Sequence, residues 1–209
     1  MRAALPEDLP HAVRLVEVAA RHLERVEETN RHFNLTRIVS ARDAAVKHVL
    51  DSVLPWKLFA GDGTVIDAGT GAGFPGIPLA VVLPETRVVL AESVGKKARF
   101  VQECVEALGL ANVTVEARRA EEVLRDMREG LVAARAVAPI DRAVTLFAPA
   151  LRRGMRALLY KGPDAEAEIA QAAAALRRSR VEARVVLRYE LPDGLGGRAM
   201  VELRAAPRK

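Results

Sequence analysis

From Leu9 to about Asn30, apolar residues fall at Val13, Val16, Ala19 or Ala20, Leu23 and Val26, which predicts one helix with a single buried face. The stretch "FNLTRI" then breaks the period with Asn34 and β-branched residues. Ser40 followed by Asp43 resembles a capping box, and it opens a short helix to about Leu54 with Val46, Val49, Leu50 and Val53 inward. Pro55 closes that helix, so roughly residues 1–60 read as a helical cap. Beyond it, over 61–209, the period alternates. Short apolar runs ("VI", "RVVLAES", "VTVEA", "LVAARAV", "MRALLYKG") are each followed by a helical pattern. Those patterns are about Gly76 to Leu83, "GKKARFVQECVEAL", "RAEEVLRDM", "DRAVTLFAPALR" and "DAEAEIAQAAAALRR". Strands alternating with helices predict an α/β fold with a parallel, doubly wound sheet. "EARVVLRYEL" and "AMVELRAA" have no helix between them and predict a closing antiparallel pair.

Composition narrows this frame. A chain of 209 residues, 50% hydrophobic, suits one core of ordinary size. The net charge of +5 fits a polyanionic partner. Arginine far outnumbers lysine, which fits phosphate recognition or the codon usage of a GC-rich genome. Cys104 is the single cysteine, so the chain holds no internal disulfide and no cysteine-rich zinc site. His11, His22, His32 and His48 have no ligand spacing, so no metal is expected. The N-terminus lacks the apolar segment of a signal peptide. The longest uncharged run, Ala68–Pro84, is broken by glycines and prolines. The expectation is a cytoplasmic monomer without a membrane partner.

The candidate chemistry sits in "DAGTGAGFPGIP", which follows the first strand, the place where open α/β sheets bind ligands. Gly69, Gly71 and Gly73 alternate, letting the backbone turn tightly against a ligand. A P-loop needs a lysine after its glycines, and none follows here. "GAGFPG" matches a dinucleotide fingerprint literally, but starting from Gly69 the third motif position is Phe74, and Pro75 stiffens the turn. Asp67 ends the strand, where a carboxylate repels a pyrophosphate but suits a ligand carrying an ammonium and a sulfonium, directly or through water. That ligand is S-adenosylmethionine. Glu92, at the end of the second strand, can accept from ribose hydroxyls in either ligand type, so it does not separate them.

These residues resemble the glucose-inhibited division protein B family of bacterial 16S rRNA 7-methylguanosine methyltransferases. The shared stretches are "NLTRI" (34–38), "KHVLDSV" (47–53), "DAGTGAGFPGIPLA" (67–80), "ESVGKKARFV" from Glu92, "RRAEE" (118–122), "RAVA" (135–138) and "YKG" (160–162). The resemblance implies a class I S-adenosylmethionine-dependent methyltransferase fold, a Rossmann-like sheet with an N-terminal helical extension. It implies transfer to N7 of a guanine in the 530-loop region of small-subunit rRNA, leaving S-adenosylhomocysteine, with naked 16S rRNA or an assembly particle as partner. It places the cofactor near Gly69, Phe74, Glu92, the Ala120–Glu121 pair and Arg135. Three positions depart from the family pattern: Phe33 replaces a tryptophan, Lys47 replaces an arginine, and no aspartate opens the fourth strand.

Several other residues invite readings. His48, Asp51 and Ser52 have the residue types of a hydrolytic triad, but they lie at i, i+3 and i+4 of one short helix and no nucleophile elbow is present. Phe74 either lines the ligand pocket or packs beneath the loop. Basic clusters occur at Lys96, Lys97 and Arg99, at Arg118 and Arg119, at Arg152, Arg153 and Arg156, and at Arg177, Arg178 and Arg180. Lys96 and Lys97 follow Glu92 closely, while Arg135 and Lys161 end strands at the same edge, so these four are the RNA-binding candidates. With only 4% aromatic residues, phosphate contacts and shape rather than base stacking carry the affinity. Guanine N7 attacks without losing a proton, so a positioning mechanism with no general base is expected. The alternatives are a methyltransferase for another substrate, a nicotinamide-linked oxidoreductase, and a non-catalytic RNA-binding module.

Overall fold

One seven-stranded sheet, ordered β3-β2-β1-β4-β5-β7-β6, organises the computed structural model, which describes residues 4–38 and 40–207. The strands are β1 (Thr64–Ala68), β2 (Arg87–Ala91), β3 (Val113–Glu116), β4 (Leu131–Arg135), β5 (Arg156–Lys161), β6 (Val181–Glu190) and β7 (Gly197–Ala205). Strands β1 to β5 pair in parallel, and β7 is antiparallel to both β5 and β6, as the missing helix between the last two apolar runs predicts. The order reverses beside β1, so β1 and β4 diverge there in their connections and leave a crevice at their carboxyl ends.

Side chains alternate across the sheet into two cores. Val65, Val88, Leu90, Leu131, Leu158 and Met200 point to one face, with Leu79 of α4 (Gly76–Val82) and Val101 and Cys104 of α5 (Gly95–Leu108). Ile66, Val89, Val132, Leu159 and Val201 point to the other. There they meet α6 (Ala120–Asp126), α7 (Ile140–Leu151), α8 (Ala165–Gln171) and α9 (Ala173–Ser179). The alanine-rich segment predicted as one helix is thus two, interrupted at Ala172. No proline, glycine or capping side chain in that stretch signals the interruption.

The N-terminal helices join the first core. Leu15, Val18, Val49, Val53 and Phe59 pack in one cluster with Val65, Leu79 and Leu90, so the expected cap over 1–60 shares its interior with the 61–209 sheet. Residues 1–3, 39 and 208–209 of those ranges lie outside the described residues. Helix α1 (Ala12–Asn30) buries Leu15, Val18, Ala19, His22 and Val26, while Val13 is 58% exposed. The predicted face is therefore rotated, because His22 belongs to the buried stripe and a polarity count treats it as solvent-facing. The next helix starts as expected, with Ser40 Oγ accepting from the Asp43 N–H at 3.0 Å. It runs as α2 (Ala41–Ala44), a π-helical segment (Ala45–Leu50) and α3 (Asp51–Val53). Val46, Val49, Leu50 and Val53 are all buried as predicted. Among the described residues no helix is long and apolar enough to cross a membrane.

Candidate functional site

The loop after β1 is tied at both ends by carboxylates. Asp67 is fully buried, and its Oδ2 accepts from Thr70 Oγ1 at 2.6 Å and from the Gly76 N–H at 2.8 Å. One side chain therefore closes the loop onto the first turn of α4, nine residues ahead in the chain. Burial raises the Asp67 carboxyl to about 6, against the pull of those two hydrogen bonds. Its Oδ1 is buried with no partner. Glu92 makes the second tie: Oε2 accepts from the Gly71 N–H at 3.0 Å and Oε1 from the Val94 N–H at 2.8 Å. The loops that follow β1 and β2 are thereby joined at the carboxyl edge of the sheet.

The glycines divide by task. Gly69 and Gly71 have φ of +70° and +62°. A Cβ on Gly71 would meet nothing within 4 Å, so the space above it is open to a ligand. Gly76 is the opposite case: a Cβ there would lie 2.1 Å from Leu90 Cδ2 and 2.7 Å from Asp67 Oδ2. Its absence lets α4 sit directly against β2 and the Asp67 clamp form.

The helical extension grips the loop from behind. The Phe74 ring is buried and stacked between His22 (centroids 4.6 Å) and His48 (4.7 Å, interplanar 9°). His22 Nε2 donates to the Ala72 carbonyl of the loop at 2.8 Å. Burial lowers both imidazoles, His22 to about 4 and His48 to about 3, the latter helped by the charges of Arg135 and His22. Both are neutral packing groups at neutral pH. The Phe74 ring thus packs between the two imidazoles beneath the loop, one of the two placements its sequence position left open.

Arg135, at the end of β4, turns toward the same helices. Its Nη1 donates to the Lys47 and His48 carbonyls of the π-helical segment at 3.1 and 3.2 Å, and pairs with Asp51 at 3.3 Å. The side chains of both partners are mostly buried, 14% and 5% exposed. Asp51 also accepts from Tyr189 Oη at 2.9 Å and faces Arg198 at 3.6 Å, while Tyr160 Oη donates to the Ser52 carbonyl. His48 hydrogen-bonds with Thr36 and not with Asp51, so no triad exists. Lys161, predicted at the RNA edge, instead donates to the Ala138 carbonyl at 2.9 Å and to Glu168 at 2.7 Å. Arg135 and Lys161 are held by the protein because each ends a strand within reach of a carboxylate and backbone carbonyls of a neighbouring segment. Sequence spacing cannot reveal partners so distant in the chain.

Lys96 and Lys97 differ. They lie in the first turn of α5, with no ion partner among the described residues, and Lys96 Nζ stands 4.8 Å over the Phe33 ring. Ala120 and Glu121 begin α6 beyond β3 and are half-buried. Val137 is 37% exposed and would stand 3.2 Å from a Cβ on Gly69. It lies in the "RAVA" stretch, but no period or motif singles it out for contact with the loop, and none joins Asp51, Tyr160 and Tyr189 into one network. His22 was findable, since it continues the Leu15–Val18–Val26 stripe of α1.

The geometry suits an adenosyl ligand. Glu92 spends two of its roughly four acceptor sites on backbone N–H groups, which leaves the others free to accept from a ligand. The unpartnered Asp67 oxygen supplies negative potential beneath the loop, matching a cationic amino-acid tail. Among the described residues no cluster of His, Cys, Asp and Glu could hold a metal.

Comparisons with known proteins agree with this fit. The family model described as rRNA small subunit methyltransferase G matches residues 16–192. A ribosomal RNA small subunit methyltransferase G from Solibacter usitatus is 62% identical over 98% of this chain and 97% of its own length. One from Carboxydothermus hydrogenoformans is 35% identical over 89% and 81%. Among solved structures, an O-methyltransferase from Bacillus cereus in complex with SAH superposes with a TM-score of 0.59 at 21% identity, covering 88% of this chain and 91% of that one. The O-methyltransferase TomG from Streptomyces achromogenes, in complex with SAM, gives 0.59 at 18% identity over 89% and 90%. These two share the fold.

Proposed function

The chain belongs to the rRNA small subunit methyltransferase G family, and from that membership we propose how its residues serve methyl transfer to N7 of a guanine in the 530-loop region of 16S rRNA. It is an S-adenosylmethionine-dependent methyltransferase. The observation that carries the site reading is the Asp67–Glu92 pair of ties around open space at Gly71. Glu92 orients the ribose, Gly69 and Gly71 give the ligand close access to backbone, and Asp67 shapes the loop and sets the potential below it. Ala120 and Glu121 border the adenine end. Gly73 and Phe74 act from behind, through His22 and His48. Bound S-adenosylmethionine supplies an electrophilic methyl group on a sulfonium.

The protein's task is then orientation. N7 presents a lone pair and needs no base, and the neutral His22 and His48 lie behind the loop where they move no proton. Lys96 and Lys97 are the cations at this edge that take RNA phosphates. Two lysines in the first turn of a helix oppose its dipole, at a cost of about 0.3–1 kcal/mol each, which favours a role beyond stability. Arg135 positions: it pins the helical extension against the strand edge. The enzyme works as a monomer in the cytoplasm.

Labelled S-adenosylmethionine offered with small subunits, naked 16S rRNA and transfer RNA tests this. Label should enter the small-subunit RNA as 7-methylguanosine and leave transfer RNA unmodified. Label in transfer RNA alone would favour a methyltransferase for another substrate.

A further inference from the structure

Six arginines that the site does not use lie at the pole opposite it. Helices α7 and α9 run against the strands they follow, so their C-terminal ends lie beside the start of β5 and β6 and the end of β7. Arg152, Arg177, Arg178 and Arg180 end those helices, and Arg184 and Arg204 project from the β6–β7 hairpin beside them. The first four are exposed and have no ion partner among the described residues. Arg184 and Arg204 each pair with Glu202 at 2.8 Å yet remain 70% and 54% exposed. Glu202 is only 3% exposed and also takes Arg156. Burial alone would raise this carboxyl, but the three arginines outweigh it and hold it low.

Glu202 and Asp62, the latter paired with Arg156, face three guanidiniums, which leaves positive charge in excess, and Glu202 fixes the direction of two exposed forks. Arg184 and Arg204 rim a recess of about 570 Å³ walled by Leu176, Val181 and Ala183. Glu182 also lines the recess, exposed and opposite Arg204 in the strand register, and it forms no ion pair among the described residues. A helix dipole favours the bases in the last turn of α9, but Arg184 and Arg204 lie on strands, where no helix dipole places them. Oriented guanidiniums match phosphate oxygens in bidentate geometry.

We infer that this pole is a second RNA-binding surface, which grips the phosphate backbone of a helix other than the one presenting the guanine. The inference rests on the rRNA reading above. The six-residue β5 alone separates the two ends of the sheet by roughly 20 Å, so a short hairpin seated at the cofactor edge does not reach both. A long folded rRNA does.

The test uses Arg152→Gln/Arg177→Gln/Arg178→Gln, three exposed and unpaired positions. Melting temperature and S-adenosylmethionine affinity should match the unmodified protein. Affinity for full-length 16S rRNA should fall at least tenfold. Its log–log salt slope should become shallower by about 0.9 for each phosphate no longer neutralised, while binding of a short target hairpin stays unchanged. The corresponding triple lysine variant keeps the charge and should recover most of the salt slope, which separates missing charge from faulty folding. Unchanged affinity and slope with long rRNA would overturn the inference, as would an equal loss with the hairpin. A loss seen only with assembled particles would assign the surface to a protein component and overturn it too. If the unmodified enzyme methylates no rRNA, the functional reading fails by itself, whatever the arginines do to RNA binding.

Discussion

Asp67 and His22, both buried, and the half-buried His48 are titratable groups within one contact network, and their linkage to pH runs in opposite directions. Asp67 is raised from 3.8 to about 6, so between those values the folded state holds more protons than the unfolded chain, and stability falls as pH rises. His22 and His48 are lowered from 6.5 to about 4 and about 3, so the unfolded chain holds more protons there, and stability falls as pH drops below 6.5. The two histidines outweigh the one aspartate, and the melting temperature should decline between about pH 6.5 and 4. Asp67→Asn keeps an oxygen for Thr70 and Gly76 and removes the buried charge. It should gain about 1 kcal/mol at pH 7, the unbonded amide hydrogens offsetting part of the relief, and decline more steeply with acid. Calorimetric scans over that range check both statements, and a lower melting point at pH 7 would contradict them. At Glu92 the expectation is different in kind. Glu92→Ala removes the tie to Gly71 and the ribose acceptor together, and S-adenosylmethionine affinity should drop by about 1.5–3 kcal/mol in titration calorimetry.

Among elements, the β1–α4 loop separates ligand space from packing space. Gly71→Ala forces a side chain into φ +62°, costing about 1–2 kcal/mol, and its methyl enters the open volume. That variant should fold and lose the cofactor. Gly76→Ala drives a methyl into Leu90 and Asp67, and overpacking of about 1–3 kcal/mol or more should lower the melting temperature as well. A Gly71 variant that binds normally, or a Gly76 variant of undiminished stability, would break the distinction. This loop was legible in the sequence because its chemistry is local: glycines, a strand-ending carboxylate and a following helix lie within a few residues of one another. The strands and α5 were legible because their apolar periods are uninterrupted. The face of α1 was misread by the width of one buried histidine. The embrace of Arg135 by the π-helical segment and the helix after it joins residues 83 to 88 apart in the chain, a separation at which neither period nor motif carries a signal.

At the scale of the molecule, charge handles the RNA and geometry handles the reaction, and the two can be separated by experiment. Changing Lys96 and Lys97 together to Ala should leave cofactor affinity intact and reduce the salt slope of RNA binding by up to about one unit per phosphate released. An unchanged slope would return both to the solvated surface. The reaction itself should be blind to those lysines and to pH. Guanine N7 has no proton to lose, the imidazoles near the loop are already neutral well below pH 6, and Asp67 is charged above about 6. No group that the chemistry depends on therefore titrates between about pH 6.5 and 8.5. Methylation at guanine N1 would need a base, and a base would impose a rising limb on the rate as it deprotonated. Single-turnover methylation with cofactor and RNA saturating, followed by mass spectrometry of the digested nucleosides, reads both features at once. The expected result is a flat profile and 7-methylguanosine. A steep limb in the chemical step would show that some side chain does take a proton, and with it the positioning mechanism would fall even if the product were unchanged.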